Sequence, residues 1–416
     1  MAKSEFEAVI IGGGAAGIAA GRRLHDAGVD VLIVEARTRL GGRAWTDAAS
    51  GSPIDLGCGW LHSGDRNPWT GIATEQGRTI DKTPPPWGRS SPAVNFPLPE
   101  QQAFRAALWA FHERLGVISE DEPDAPAASR LDPRSRWNGL IGAVNTFLSG
   151  TEPERLSTRD FSRYEDSGVN WRVVEGYGAV VAAHAAGVPV KLGCPVRRID
   201  WSGKRLAVET AEGALTADAV IVTLPSNLIA EEAIRFTPAL PEKVEAAAGV
   251  PLGLADKLFL SLERAEEFEA DSRLFGHTDR TATGAYHFRP LGRPQIEAYF
   301  GGSLAAQLET GGEAAFLGFA LQELTALFGG DFAKRVKPIH SHLWGIDPFA
   351  RGSYSYALPG KADGRAALAA PVEDRLFFAG EACSVHDYST AHGAYLTGIA
   401  AADQVIAASK ERRVMS

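Results

Sequence analysis

The chain has 416 residues, enough for two or three domains of ordinary size, and 42 Lys+Arg against 51 Asp+Glu leave a net charge of −9. Its basic residues are scattered, with only isolated pairs such as Arg22-Arg23 and Arg197-Arg198, which argues against nucleic acid or an anionic membrane as a partner. Three distant cysteines, Cys58, Cys194 and Cys383, form no C-x-x-C pair, which argues against a disulfide framework and a thiolate zinc site.

The first residues, Met1 to Glu7, are acidic where a secretory leader would be basic. The longest apolar stretch, residues 8–21, is glycine-rich and about 14 residues long, short of the ~20 that span a bilayer. A soluble, cytoplasmic protein is therefore expected. Ala8-Val9-Ile10-Ile11 reads as a strand buried on both faces, Gly12 to Gly17 as a turn, Ile18 to Leu24 as a helix, and Val31 to Val34 as a second buried strand. Residues 81–190 open with a proline-rich segment and turn helical over 101–115. Val196–Trp201 and Leu206–Thr210 predict a small antiparallel meander, followed by a strand at Ala219–Thr223. In the next stretch, 251–345, Lys257–Leu262 and Gln295–Phe300 read as strands and Ala314–Phe328 as a helix. A short strand at Leu376–Ala379 and a helix over Gly393–Ala408 close the chain.

Gly12-x-Gly14-x-x-Gly17 lies between a buried strand and a helix, and Glu35 ends the next strand about 20 residues on. Glycines there let the backbone reach a pyrophosphate at a helix N-terminus, and Glu35 can accept hydrogen bonds from a ribose. This much fits NAD or FAD equally. Arg39-Leu40-Gly41-Gly42-Arg43 adds a paired glycine for close approach to a flat cofactor and an arginine to offset phosphate charge. Ala379-Gly380-Glu381 supplies a second glycine-acid contact far along the chain, and the balance moves to FAD. His340 and His342 alternate onto one strand face without a third ligand, so no metal is expected. Ser384, His386 and Asp387 lie too close in sequence for a hydrolytic triad.

These blocks, together with Asp55 to His62, Gly253 to Phe259, Arg351 to Tyr356 and Ala391 to Gly398, resemble the flavin-dependent amine oxidases: monoamine oxidases, polyamine oxidases and flavin-type histone demethylases. The late blocks look most like polyamine oxidases. The resemblance implies an α/β fold: a Rossmann-like FAD-binding domain (1–80, 191–250 and 346–416) interleaved with an α+β substrate-binding domain (81–190 and 251–345). It implies FAD held by Gly12, Gly14, Ala16, Gly17, Glu35, Ala36, Arg37, Gly42, Arg43, Gly59, Trp60, Val196, Gly380, Glu381, His392, Gly393 and Ala394. Lys257 matches the lysine that holds a water against flavin N5. Trp344 matches a tryptophan close to the flavin, Tyr354 one wall of an aromatic cage, and His62 a channel residue.

Ser353 stands where monoamine oxidases carry the flavin-linking cysteine, so non-covalent FAD is expected; Thr390 stands where they carry the second cage tyrosine, which leaves the cage half open. The implied reaction moves a hydride equivalent from the carbon bearing the amine nitrogen to the flavin. The imine then hydrolyses to aldehyde or ketone, and O2 or another acceptor takes the electrons, O2 giving H2O2. A polyamine-like or bulky amine is the expected substrate. A flavin desaturase or porphyrinogen-type oxidase, or a non-catalytic flavoprotein, would share the nucleotide fingerprint without needing Lys257 or the Tyr354 wall.

Overall fold

In the computed structural model, which describes residues 3–48, 51–119 and 121–415, the first apolar run is strand β1 (Glu5–Ile11). The glycine turn leads into helix α1 (Ala15–Asp26), and the second run is β2 (Val31–Val34). Helices α2 (Leu98–Gly116), α3 (Asn138–Ser149) and α4 (Tyr177–Ala183) follow. Then come β3 (Val190–Lys191), β4 (Val196–Asp200), β5 (Leu206–Thr210), β6 (Gly213–Val222) and β7 (Arg235–Thr237). Next are β8 (Ala255–Leu262), β9 (Ser272–Phe275), β10 (Ala285–Phe288) and β11 (Gln295–Gly301), followed by helix α5 (Gly312–Phe328) and β12 (Val336–His342). Strand β13 (Leu376–Phe378) and helix α6 (Ala391–Met415) end the chain.

An 8-stranded sheet has the order β7-β4-β5-β6-β1-β2-β3, with β13 also on β6. Strands β2, β1, β6 and β13 are mutually parallel. Their alternate residues enter two different cores. Ala8, Ile10, Ala219 and Ile221 face α1, α4 and α6, whereas Val9, Ile11, Val220 and Val222 face a core shared with β4 and β5. Burial on both faces is why these strands are continuous apolar runs. The meander and the strand expected after it share one element, since β6 pairs antiparallel with β5 through residues 213–217 and parallel with β13 through 220–222. Residues from Val173 to Val188, expected with the intervening stretch, pack into the parallel-sheet core through Tyr177, Val180 and Val181.

The second sheet is antiparallel, in the order β9-β10-β11-β8-β12. Leu258, Leu260, Tyr286, Phe288, Ile296, Ala298 and Phe300 form its core face, against Phe316, Ala320 and Leu324 of α5. The period of two sends Lys257, His287, Glu297 and Tyr299 to the opposite face, where α2 and α3 bring a further apolar cluster around Phe104, Phe111 and Leu140. Helix α6 begins at Ala391 and extends past the expected Ala408. No helix among the described residues is long and apolar enough to cross a membrane.

Candidate active site

A single cavity of about 1250 Å³ is walled by the glycine turn, the cavity face of the second sheet and helices α2 and α3. That volume exceeds the ~300–1,000 Å³ of ordinary small-ligand pockets, so there is room for a dinucleotide and a second molecule.

At the β1–α1 end, no side chain caps α1, and Gly12, Gly14, Ala15 and Ala16 line the cavity. The uncapped N–H groups of the first turn are a site for a phosphate. Gly17 is not on the wall: a Cβ there would stand 1.9 Å from the Gly12 carbonyl oxygen, so its role is to seat the helix on the strand. Gly42 holds φ +58, and a Cβ on it would come within 3.1 Å of Gly14 Cα, which keeps the two glycine turns in contact. Glu35, 4% exposed, accepts from the N–H of Gly13 at 2.6 Å and of Arg37 at 2.7 Å. A carboxylate so held keeps lone pairs for the hydroxyls of a ribose. Ala36, Arg37 and Val196 line the same end. Uncapped amides, a glycine cradle and a buried acid are what a dinucleotide requires, so the residues present fit FAD.

Two expected cofactor contacts line the cavity and also pair with each other. Arg43, expected to offset phosphate, gives Nη1 to Glu381 Oε1 at 2.8 Å and to the Ser353 carbonyl at 2.8 Å. Glu381 also accepts from Ser355 Oγ at 2.6 Å and the Ser389 N–H at 2.9 Å. Burial raises its pKa, but Arg43, Ser355 and Arg365 outweigh that and hold it below the usual carboxylate range. The pair braces the N-terminal glycine turn against the late chain, and Gly380 lines the cavity beside it. His392 and Gly393 lie behind the wall, while Ala391 and Ala394 line it. Buried His392 approaches Asp387 Oδ1 at 3.2 Å, and a Cβ on Gly393 would strike the Asp387 carbonyl oxygen at 1.9 Å.

Where the two sheets meet, Lys257 rises from β8 only 5% exposed. Its Nζ pairs with Glu297 Oε1 at 2.8 Å, donates to the Asp55 carbonyl at 3.0 Å and lies 5.6 Å from the Tyr299 ring. Burial alone would discharge the ammonium, but Glu297, Tyr299 and Asp55 outweigh it and raise its pKa. Lys257 is therefore a fixed cation, and Glu297 is held down to about 2. The chain of contacts continues outward. His287 Nδ1 lies 3.4 Å from Glu297 and its Nε2 3.0 Å from Asp271, which pairs with Arg172, itself paired with Asp81. Gly59 stands beside Lys257: a Cβ there would be 3.4 Å from Nζ.

Tyr354 and Tyr299 both line the cavity at this point, and the Tyr354 hydroxyl donates to the Phe147 carbonyl. Trp344, 2% exposed, donates Nε1 to the Leu56 carbonyl at 3.1 Å and packs edge-on to His342 at 4.3 Å. Thr390 lines the wall, but its hydroxyl accepts the Gly393 N–H at 2.9 Å, so it serves as an N-terminal cap of α6. Ser353 is zipped to β8, accepting the Ala255 N–H at 2.9 Å and donating to the Ala255 carbonyl at 2.8 Å.

Beyond this junction the cavity is lined by Trp60, Trp87, Phe104, Phe147 and Phe275, and Trp60 meets Trp87 at 4.5 Å. His62 Nδ1 lies 2.6 Å from Asn170 Oδ1. Burial lowers the His62 pKa, so the ring is neutral, with Nδ1–H donating and Nε2 left as an acceptor. His340 and His342 flank Trp45 at 5.8 and 5.1 Å, and no group of three metal-ligating side chains occurs among the described residues.

Tyr299, Glu297, His287 and Arg273 were not anticipated. The strand Gln295–Phe300 was legible, but an alternating strand does not reveal which face meets a cavity.

Geometry of this kind is that of a dinucleotide-dependent oxidoreductase, with the cofactor at the glycine turn and a second molecule along the antiparallel sheet. The family described as flavin containing amine oxidoreductase matches residues 15–110 and 123–406, and the chain belongs to that family: it is a flavin amine oxidase. It is 31% identical to polyamine oxidase 2 of Arabidopsis thaliana, over 95% of this chain and 87% of the relative. To polyamine oxidase 4 of Oryza sativa subsp. japonica it is 28% identical, over 95% and 88%. The fold matches a putrescine oxidase solved with putrescine bound, at TM-score 0.79 and 19% identity, covering 97% of this chain and 99% of that one. It also matches cyclohexylamine oxidase from Brevibacterium oxydans at TM-score 0.76 and 22% identity, covering 98% and 99%. The α/β fold with its interleaved second unit is thus that of the flavin amine oxidases.

Proposed function

We propose that the protein oxidises a bulky primary or secondary amine at the carbon bearing nitrogen, using non-covalent FAD and O2. The observation that carries this reading is Lys257, a buried cation beside Tyr299 and Tyr354 on the wall shared by the cofactor end and the aromatic arm. FAD, when bound, supplies the hydride acceptor and passes the electrons to O2, giving H2O2.

The protein's share is to bind, dry and orient. The reacting amine needs its lone pair. An alkylamine near pKa ~10.4 is almost wholly protonated at pH 7, a penalty of roughly 4–5 kcal/mol. Tyr299, Tyr354 and Trp344 offset part of it: their rings displace water, and a desolvated ammonium loses its proton more readily. Lys257 cannot take that proton, because Glu297 keeps it charged. It acts as a fixed positive charge and a hydrogen-bond donor toward its neighbours. Nothing in the hydrogen bonding of Ser353 offers an attachment point, which supports non-covalent binding. The released product would be an imine, hydrolysed to an aldehyde or ketone. The length of the aromatic arm favours a long or bulky amine over a small arylalkylamine.

The test is anaerobic bleaching of the yellow flavin band by a panel of primary, secondary and cyclic amines at several pH values. Bleaching whose rate climbs with pH is expected, and Lys257→Met should slow it at least tenfold. Failure of every amine to bleach would overturn the reading. Acid denaturation should release the flavin from the polypeptide; yellow colour left on the precipitate would overturn non-covalent binding.

A further inference from the structure

Most arginines near the cavity are matched by carboxylates: Arg37 by Asp347, Arg43 by Glu381 and Arg351 by Glu231. Arg89, Arg105 and Arg273 line the aromatic arm and have no carboxylate partner among the described residues. Arg89 gives Nη2 to the Asp271 carbonyl at 2.6 Å and leaves its buried Nε without a partner, and Arg105 reaches the Arg89 carbonyl at 3.5 Å. Arg273 stands 4.7 Å above the Phe275 ring and 5.9 Å from that of Phe147, its guanidinium making no hydrogen bond among the described residues. Phe104, next to Arg105 on α2, meets Phe275 at 6.2 Å. The three guanidinium-bearing chains therefore share one corner.

The carboxylates on the arm do not answer them. Glu297 is committed to Lys257 and His287. Asp166, exposed, accepts from Ser63 Oγ and the Gly168 N–H. A polycation would meet unmatched positive charge here, whereas a carboxylate would find planar, aromatic-backed guanidinium donors suited to bidentate bonding. We propose that the Arg273 corner binds a carboxylate of the substrate, so that the amine oxidised carries an acidic group remote from its reacting nitrogen. This rests on the amine oxidase reading above and deepens it.

The sheet sets the span. Arg273 pairs with His287, His287 with Glu297, and Tyr299 with Lys257, so all stand on one face. Three strand spacings and one two-residue step separate Arg273 from Lys257, about 16 Å between Cα atoms. With both side chains reaching inward, the groups they serve lie on the order of 10 Å apart. An α-amino acid, whose nitrogen and carboxylate share one carbon, cannot bridge that gap; a long ω-amino carboxylate can.

The test compares 8-aminooctanoate, its amide and 1,8-diaminooctane in anaerobic flavin reduction by the holoenzyme, with octanoate binding followed separately by calorimetry. The acid should half-saturate at a concentration roughly tenfold or more below the amide. Arg273→Gln should erase that advantage and weaken octanoate by a similar factor, and Arg273→Lys should retain part of it. Equal or better use of the amide or diamine by the parent enzyme would overturn the inference and leave the amine oxidase reading standing. Arg273-dependent octanoate binding with no bleaching by any amine would overturn the reading and keep the anion site. If Arg273→Gln fails to fold, the acid-to-amide comparison in the parent decides alone.

Discussion

Replacing Glu297 by Gln removes the carboxylate that keeps Lys257 charged inside the protein. The structure sets the magnitude. Glu297 is 15% exposed on its side chain and Lys257 6%, with 2.8 Å between them. The carboxyl sits at about 2 against an ordinary 4.5, a difference equivalent to about 3 kcal/mol of folding free energy. Breaking a buried pair by losing one partner costs about 3–5 kcal/mol by general experience, so the two agree. The folded pKa of Glu297 lies below the unfolded one. Its contribution is therefore complete above pH 4.5 and fades as pH falls toward 2. The folded pKa of Lys257 lies above its ordinary 10.5, so its contribution is intact throughout the neutral range and would be lost only as pH rises through that higher value. In Glu297→Gln the Asp55 carbonyl still accepts from Lys257, but desolvation, the largest influence on that ammonium, has lost its main opponent, and the pKa falls. Urea unfolding of the holoenzyme at pH 7 should show a loss of about 3–5 kcal/mol, narrowing between pH 4.5 and 3. Flavin reduction in the variant should gain an alkaline ionisation that the parent lacks. A variant within 1 kcal/mol of the parent at pH 7, with the same acid limb, would refute the reasoning.

Arg365, fully buried, forks onto Asp160 at 2.6 and 2.8 Å and stacks 3.7 Å over Tyr388; Arg365→Met should destabilise the fold by about 3–5 kcal/mol in urea unfolding, because it strands a buried carboxylate. Glu35→Ala should leave the fold intact but weaken FAD by roughly 1.5–3 kcal/mol, the value of hydrogen bonds to a charged group, read as the flavin-to-protein ratio after gel filtration. Asp256 is buried with Glu309 close by, and burial first, then Glu309, holds its pKa well above the usual range. The folded state therefore binds a proton that the unfolded chain releases above pH 3.8, and stability from this group falls as pH rises. Asp256→Asn should gain on the parent as pH rises from 5 to 8, by at most about 1.4 kcal/mol per pH unit, measured by urea midpoints.

The proton economy of the cavity wall follows from how its charges are matched. Lys257, Glu297, His287, Asp271, Arg172 and Asp81 form one chain of polar and ionic contacts running outward from the cavity wall. Each member desolvates the next and neutralises it, so a cation is held beside the reaction volume without a free carboxylate to bind substrate there. Among the described residues, the cations left unmatched on the arm are at its far corner, which is why they, and not Lys257, are available to a ligand's anion.

The local sequence determined what depends on local rules. Buried parallel strands are apolar throughout, so β1, β2 and β13 were legible, and a glycine turn ending in an acid is readable wherever a backbone must approach a phosphate. Lys257, Trp344 and Tyr354 were reachable because they lie in blocks resembling a known family. Only the tertiary structure decided the partners. Arg43 and Glu381 are more than 300 residues apart in sequence, and each was expected at the cofactor; the fold puts both on the cavity wall and joins them to each other. Thr390, aligned in sequence with a cage residue, lines the wall, and the fold also makes it the cap of α6. Of the strands on the cavity face of the second sheet, β8 and β11 were legible as strands, while β9 and β10 were not read from the sequence. Their register places Arg273, His287, Glu297 and Tyr299 on one face, and which face meets the cavity is set by where α5 packs. That choice belongs to contacts between distant segments, which no local pattern encodes.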